Sequence, residues 1–265
     1  QGIKGLCSSF PNQLTGSSVI TMSEEKVYPV NAQAAERSHL SKERFAEMYE
    51  QSISSPEEFW AEQAGEFLYW HEPWKSVVKS DFKTASTSWF EGAKLNVAYN
   101  CIDRHLATRG DQTAIIWEPD SPEDEAQHIT YQELHDNTCR MANVLKDMGV
   151  GKGDRVVLYI PMIPEAAYAM LACTRIGAIH SIVFAGFSPD ALAARVNGSE
   201  AKVVITADEA PRGGRNTPLK TNADKALEAC SDSVKSLVVR RTGSDVPWND
   251  ARDYDYNALA AQAAT

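Results

Sequence analysis

Residues 159–215 read YIPMIPEAAYAMLACTRIGAIHSIVFAGFSPDALAARVNGSEAKVVITADEAPRGGR. An apolar strand over 155–160 runs into Pro161 and Pro164, which frame the turn into a helix over 165–176. Its Ala166, Ala167, Ala169, Ala172 and Cys173 are small enough for close packing on a sheet. Gly177-Ala178 ends that helix, and Ser181-Ile182-Val183-Phe184 is a short apolar strand that breaks at Ala185-Gly186. Residues 190–196 have helix-forming composition, and Lys202-Val203-Val204-Ile205-Thr206 is a second β-branched strand before Arg212-Gly213-Gly214-Arg215. Two strands separated by a crossover helix form a parallel βαβ unit, because no tight turn can join parallel neighbours. Ligands of such sheets bind at the carboxyl ends of the strands, which is where the Gly186 turn and the arginine pair both fall.

Working outward, the chain keeps the same alternation. Thr130 followed by Glu133 is a capping box that opens a helix bearing Leu134, Met141, Val144, Leu145 and Met148 at helical spacing. Val150-Gly151-Lys152-Gly153-Asp154 lacks the spacing of a phosphate loop and reads as a helix cap and tight turn. Thr113 to Trp117 is a strand, and the acidic, proline-bearing residues 118–127 are a surface loop, read as a solvated tip. Residues 225–230 and 237–240 add a helix and a strand. Residues 31–70 read as two helices, one after Ser41 and one from Ser55-Pro56-Glu57-Glu58, whose Phe59, Trp60, Phe67, Leu68 and Trp70 are expected to pack onto the main body. The fold class is therefore α/β: a mostly parallel sheet with flanking helices over 89–265, preceded by a helical N-terminal extension over 22–88. Met22 before Ser23-Glu24-Glu25-Lys26 has the look of a natural start, so residues 1–21 are expected to be a non-native or disordered leader.

Composition narrows the function. The 265 residues are 43% hydrophobic, enough for a substantial core, and 26 basic against 36 acidic residues give a net charge of −10. That balance argues against a nucleic-acid or anionic-membrane binder while leaving room for one local basic site. Five widely spaced cysteines with no Cys-x-x-Cys pair read as reduced thiols in the cytoplasm. No apolar run approaches the roughly 20 residues that cross a bilayer. There is no G-x-S-x-G, H-E-x-x-H or G-x-G-x-x-G motif, the six histidines are scattered, and His180 reads as a hydrogen-bonded structural residue. The distinctive feature left is Arg212-Gly213-Gly214-Arg215. Two guanidiniums on a glycine turn can close on one phosphate from two sides, and the glycines let main-chain N–H groups approach it. The alternative is a surface turn with two solvated arginines.

Several strings carry a resemblance. Gly149-Val150-Gly151-Lys152-Gly153-Asp154-Arg155-Val156 and Ile160-Pro161-Met162-Ile163-Pro164-Glu165-Ala166 resemble the acetyl-CoA synthetases, the acetate-activating family of the adenylate-forming superfamily. So do residues 170–181, Val183-Phe184-Ala185-Gly186-Phe187-Ser188-Pro189, residues 205–209, Arg212-Gly213-Gly214-Arg215 and the upstream residues 89–101. The likeness runs from about residue 45 to residue 254. It implies a carboxylate–CoA ligase that joins acetate to magnesium-bound ATP, releases diphosphate, and passes the acyl group from acetyl-adenylate to CoA. It further implies that Arg212, Gly213, Gly214 and Arg215 contact the 3′-phosphate and adenine end of CoA, with Phe184 and Gly186 close to the same nucleotide. Where the family often has Gly, this chain has Ala185, one methyl larger.

The same resemblance implies what should lie elsewhere. Family enzymes are more than twice this long, and their lysine-bearing ATP loop, acyl-pocket tryptophan, ribose-binding aspartate and catalytic lysine match nothing here. No catalytic residue and no magnesium ligand is therefore expected in this chain, which should be inactive alone and prone to aggregate. Its expected partners are the small molecules acetate, ATP and CoA, with neither nucleic acid nor membrane. A ligase for propionate or another short acid, and a non-catalytic CoA- or nucleotide-binding module, are the alternatives.

Overall fold

The computed structural model describes residues 28–265. The leader read at 1–21 and Cys7 lie outside the described residues. The chain divides after Pro56 into two compact units. In the first, helices α1 (Ala32–Glu36) and α2 (Lys42–Ser54) start at Asn31 and Ser41. Each cap accepts from the N–H three residues on, Ala34 at 3.2 Å and Arg44 at 3.1 Å. On α2, Phe45 and Tyr49 stack with ring centres 6.3 Å apart.

Helix α3 (Pro56–Phe67) begins at that boundary, and the second unit goes on with a hairpin of β1 (Ser76–Asp81) and β2 (Ser86–Glu91). The stretch 31–70 thus holds three helices, and the stretch 22–88 holds β1 and the start of β2 besides. Phe59 is buried, Trp60 meets Trp89 edge-on at 6.4 Å, and Trp70 packs on Trp74 and Phe90 at 5.3 Å each. Of the five residues expected to pack, Phe59 is buried and Trp70 partly so, whereas Trp60, Phe67 and Leu68 stay exposed. A π-helical turn (Tyr99–Asp103) leads into α4 (Arg104–Arg109), and β3 (Thr113–Trp117) pairs with β4 (Gln127–Thr130) across the acidic loop. The capping box starts α5 (Tyr131–Asp147): Thr130 Oγ1 accepts from Glu133 N at 3.1 Å and Glu133 Oε2 accepts from Thr130 N at 2.8 Å.

Next come β5 (Arg155–Tyr159), α6 (Pro164–Ile176), β6 (Ile179–Ile182), α7 (Pro189–Ser199) and β7 (Val203–Ala207). A small hairpin of β8 (Ala210–Arg212) and β9 (Arg215–Thr217) precedes α8 (Leu219–Leu227), β10 (Lys235–Val239), β11 (Asp253–Asp255) and α9 (Tyr256–Ala260). Strands β11-β10-β7-β5-β6 form one parallel sheet in that order. The chain steps from β5 to β6 in one direction, then crosses back over β5 to reach β7. Right-handed crossovers therefore place α6 and α7 on opposite faces, α6 packing with α5 and α7 with α8. The direction reverses between β5 and β7, the position where an open parallel sheet leaves a crevice at its carboxyl ends. All five residues of β7 are buried. Each buried Val or Ile there stabilises the fold by about 1.5–3 kcal/mol. At the edge, β6 leaves Ile179 and Ile182 exposed.

The apolar run at 181–184 sits two residues off the observed strand. Gly177 closes α6 in the left-handed region (φ 74°), only Ala178 intervenes, and pairing with β5 begins at once, Arg155 opposite Ile179. Val183 N still donates to Leu158 O at 2.8 Å, but Phe184 is past the ladder. The helix read at 225–230 likewise begins earlier, at Leu219. His180 on β6 makes no hydrogen bond through its ring among the described residues, and burial lowers its pKa. The turn at 149–154 is as expected: Gly149 and Gly153 have φ of 87° and 83°, and Asp154 N donates to Gly151 O at 3.1 Å.

Candidate functional site

The site is built from the end of the central strand. β7 stops at Ala207, and the next residue, Asp208, is fully buried. A buried carboxylate must be matched by donors. Asp208 Oδ1 accepts from the N–H groups of Glu209 (2.7 Å), Arg241 (2.9 Å) and Thr242 (3.2 Å), and Oδ2 accepts from Thr242 (3.1 Å) and Gly243 (2.8 Å). One side chain thus fastens the loop after β10 to the end of β7. Glu209 adds a second tie, accepting from Asn216 Nδ2 at 3.0 Å and from the hydroxyls of Thr242 and Ser244 at 3.1 and 2.6 Å.

On this base stands the arginine turn. Arg212 ends β8, Arg215 begins β9, and the two are directly opposite in the antiparallel register. Gly213 and Gly214 between them have φ of 58° and 73°. A two-residue hairpin loop with both residues left-handed is a type I′ turn, whose twist matches the flanking strands and which residues with a Cβ resist. Directly opposed residues share a face of the hairpin, so both guanidiniums leave on one side, where like charges oppose each other by roughly 0.2–1 kcal/mol. Both arginines are exposed. Neither forms an ion pair with another described residue.

Phe184 and Gly186 come to the same place. The Arg212 guanidinium lies over the Phe184 ring, 5.6 Å from its centre, and Phe187 meets that ring edge-on at 5.9 Å. A Cβ on Gly186 would sit 2.7 Å from Phe184 Cε1, so this glycine makes room for the ring that underlies Arg212. All six expected site residues therefore gather at one edge beyond β6 and β7.

Several neighbours were not singled out in the sequence. Asp120, in the acidic loop, accepts from Gly213 N at 3.1 Å, so that loop is more than a solvated tip. Arg241 lies over Trp117, 4.7 Å from the ring centre, and Trp117 Nε1 donates to Met162 O at 2.8 Å. At the start of α6, burial raises the Glu165 carboxyl above its ordinary pKa, opposed by its own N–H and by Arg241. A cavity of about 480 Å³ elsewhere is lined by Tyr69, Tyr99, Lys94 and Arg175 among others. Its lysine and arginine are already paired, Lys94 with Glu72 and Arg175 with Asp103, both at 2.7 Å. The hairpin differs from that cavity in presenting two opposed arginines with no carboxylate partner among the described residues. Among the described residues no group of three or more His, Cys, Asp or Glu is arranged to hold a metal ion, and no helix is long and apolar enough to cross a membrane.

A family model described as AMP-binding enzyme matches residues 102–262, which contain the sheet, the hairpin and the loop tied by Asp208. The chain belongs to the AMP-binding enzyme family. A second model, acetyl-coenzyme A synthetase N-terminus, matches residues 45–101. Acetyl-coenzyme A synthetases of Alkalilimnicola ehrlichii and Halorhodospira halophila are each 56% identical to this chain over 243 residues. Acetyl-coenzyme A synthetase 2 of Pseudomonas aeruginosa is 54% identical over 244. These alignments cover 92% of the chain and 38% of each relative. Among solved structures, acetoacetyl-CoA synthetase from Streptomyces lividans superposes with a TM-score of 0.75 at 25% identity, covering 88% of this chain and 35% of that one.

Proposed function

We propose that this chain is part of a cytoplasmic, AMP-forming acetate–CoA ligase and that its Arg212–Arg215 hairpin receives the 3′-phosphate of CoA. The observation that carries the second half is the pair of opposed arginines, exposed and without carboxylate partners among the described residues. Their mutual repulsion is relieved when a dianion binds between them, and a planar guanidinium matches phosphate oxygens two at a time. Phe184, under Arg212, offers an apolar face to the adenine of the same ligand. Gly213 and Gly214 keep side chains out of its path. Acetate, rather than propionate or a longer acid, is supported by the names of the three sequence relatives given above, each an acetyl-coenzyme A synthetase at 54–56% identity. Acetate, magnesium-bound ATP and CoA are the substrates of the complete ligase, and the groups that activate acetate belong to its remaining length.

The test separates the two half-reactions of the complete ligase. Reversing the charge of Arg212 or Arg215 is expected to raise the KM for CoA roughly ten- to a hundredfold, the worth of one charge-assisted contact. Acetate-dependent exchange of pyrophosphate into ATP, which needs no CoA, should keep its rate. Equal loss in both half-reactions would make the arginines structural.

A further inference from the structure

We propose that Asp120 is an internal stand-in for the ligand phosphate, occupying the arginine turn until a stronger anion displaces it and so setting which anions the turn accepts. The inference rests on the phosphate reading of the hairpin. Its starting point is a contact across 93 residues of sequence: the Gly213 N–H, a main-chain donor between the two arginines, is taken by Asp120 Oδ1 at 3.1 Å. A free glycine N–H beside two guanidiniums is what an incoming phosphate oxygen would seek. In the free protein a carboxylate already holds it.

The loop that supplies this carboxylate is suited to the task. Between Trp117 and Gln127 it carries Glu118, Asp120, Glu123, Asp124 and Glu125 and no basic residue. It is anchored at its base, where Trp117 donates to Met162 O and stacks under Arg241. Asp120 itself is exposed and has no ion-pair partner among the described residues, so it can leave the turn at little cost. One carboxylate against two arginines leaves a net positive turn. A phosphate dianion carries twice the charge of Asp120 and replaces it. A singly charged or neutral group gains too little to do so, and the competition favours ligands with a terminal phosphate.

The experiment uses the complete ligase with CoA and 3′-dephospho-CoA as probes, their Kd values measured by calorimetry for wild type, Asp120→Asn and Asp120→Ala. Both variants are expected to bind CoA roughly three- to tenfold tighter, by loss of one competing, solvent-exposed hydrogen bond at the Gly213 N–H, weaker than a full guanidinium–phosphate contact. Their affinity for 3′-dephospho-CoA should stay as in wild type, and unchanged pyrophosphate exchange reports an intact fold. Unchanged or weaker CoA binding in both variants would overturn the inference and make Asp120 a fastener of its loop. If wild type itself binds the two probes equally, the phosphate reading falls and this inference with it. If wild type discriminates and neither variant tightens, this inference alone falls.

Discussion

Two pairs of cations in the same unit are treated in opposite ways. Lys220 and Arg252 lie in a closed quartet with Asp224 and Asp253. Lys220 Nζ is 2.6 Å from Asp224 and 2.8 Å from Asp253, and also donates to Pro247 O at 3.1 Å. Arg252 Nε is 2.9 Å from Asp253, and its far nitrogen bonds Asp224. Two positive charges meet two negative ones, and the Lys220 and Asp253 side chains are wholly buried. Arg212 and Arg215 are also directly opposite, in the hairpin register, but exposed and with no matching carboxylates among the described residues. In the quartet the chain supplies both counter-charges on the spot. At the proposed phosphate site it leaves the charge open, with Asp120 touching only the backbone between the two arginines.

The comparison can be broken first at its buried side. Lys220→Met strands two carboxylates with one arginine, and removing a partner from a buried pair typically costs about 3–5 kcal/mol. Urea unfolding should show a loss of that size, while the protein that remains folded keeps its preference for CoA over 3′-dephospho-CoA. A smaller effect is expected with acid. For Asp253, burial alone would raise the pKa, but its bonds with Arg252, Lys220 and the Asn249 N–H outweigh it and hold the carboxyl below the ordinary aspartate range. A group whose pKa is lowered by folding contributes stability above its unfolded value and loses it as the pH falls through the folded one. The gap in unfolding free energy between wild type and Asp253→Asn should therefore narrow as the pH drops below the ordinary aspartate value. The smallest effect has the opposite sign: Arg215→Gln relieves like-charge opposition and should stabilise the fold by about 0.2–1 kcal/mol. A stability loss above that size would place Arg215 among the structural cations.

What the sequence revealed, and what it hid, follows the range of the forces involved. The buried strands at 155–159 and 203–207 and the cap of Thr130 with Glu133 depend on residues within a few positions, and they were readable directly. The hairpin of β1 and β2 was not. Its strands are largely polar and exposed with no alternation, and they are held through Trp89 and Phe90 against aromatics from other elements. The arginine turn was visible as a motif, but spacing alone left it open between a phosphate site and a solvated turn. Its supports lie far off in sequence: Asp120 reaches Gly213 over 93 residues, and Asp208 reaches Gly243 over 35. No local pattern announces a carboxylate that accepts from a distant loop. Phe184 and Gly186 were named for their nearness to a nucleotide, and the structure adds that the glycine makes room for the ring beneath Arg212.

The central claim is that the open charges of Arg212 and Arg215 exist for the phosphate at the end of CoA. It is tested most directly by the ratio of Kd values for 3′-dephospho-CoA and CoA in the complete ligase, wild type against the double variant Arg212→Gln, Arg215→Gln. The account predicts that wild type prefers CoA by roughly ten- to a hundredfold and that the double variant brings the ratio close to one, by weakening CoA alone. A double variant that kept the wild-type ratio would contradict it.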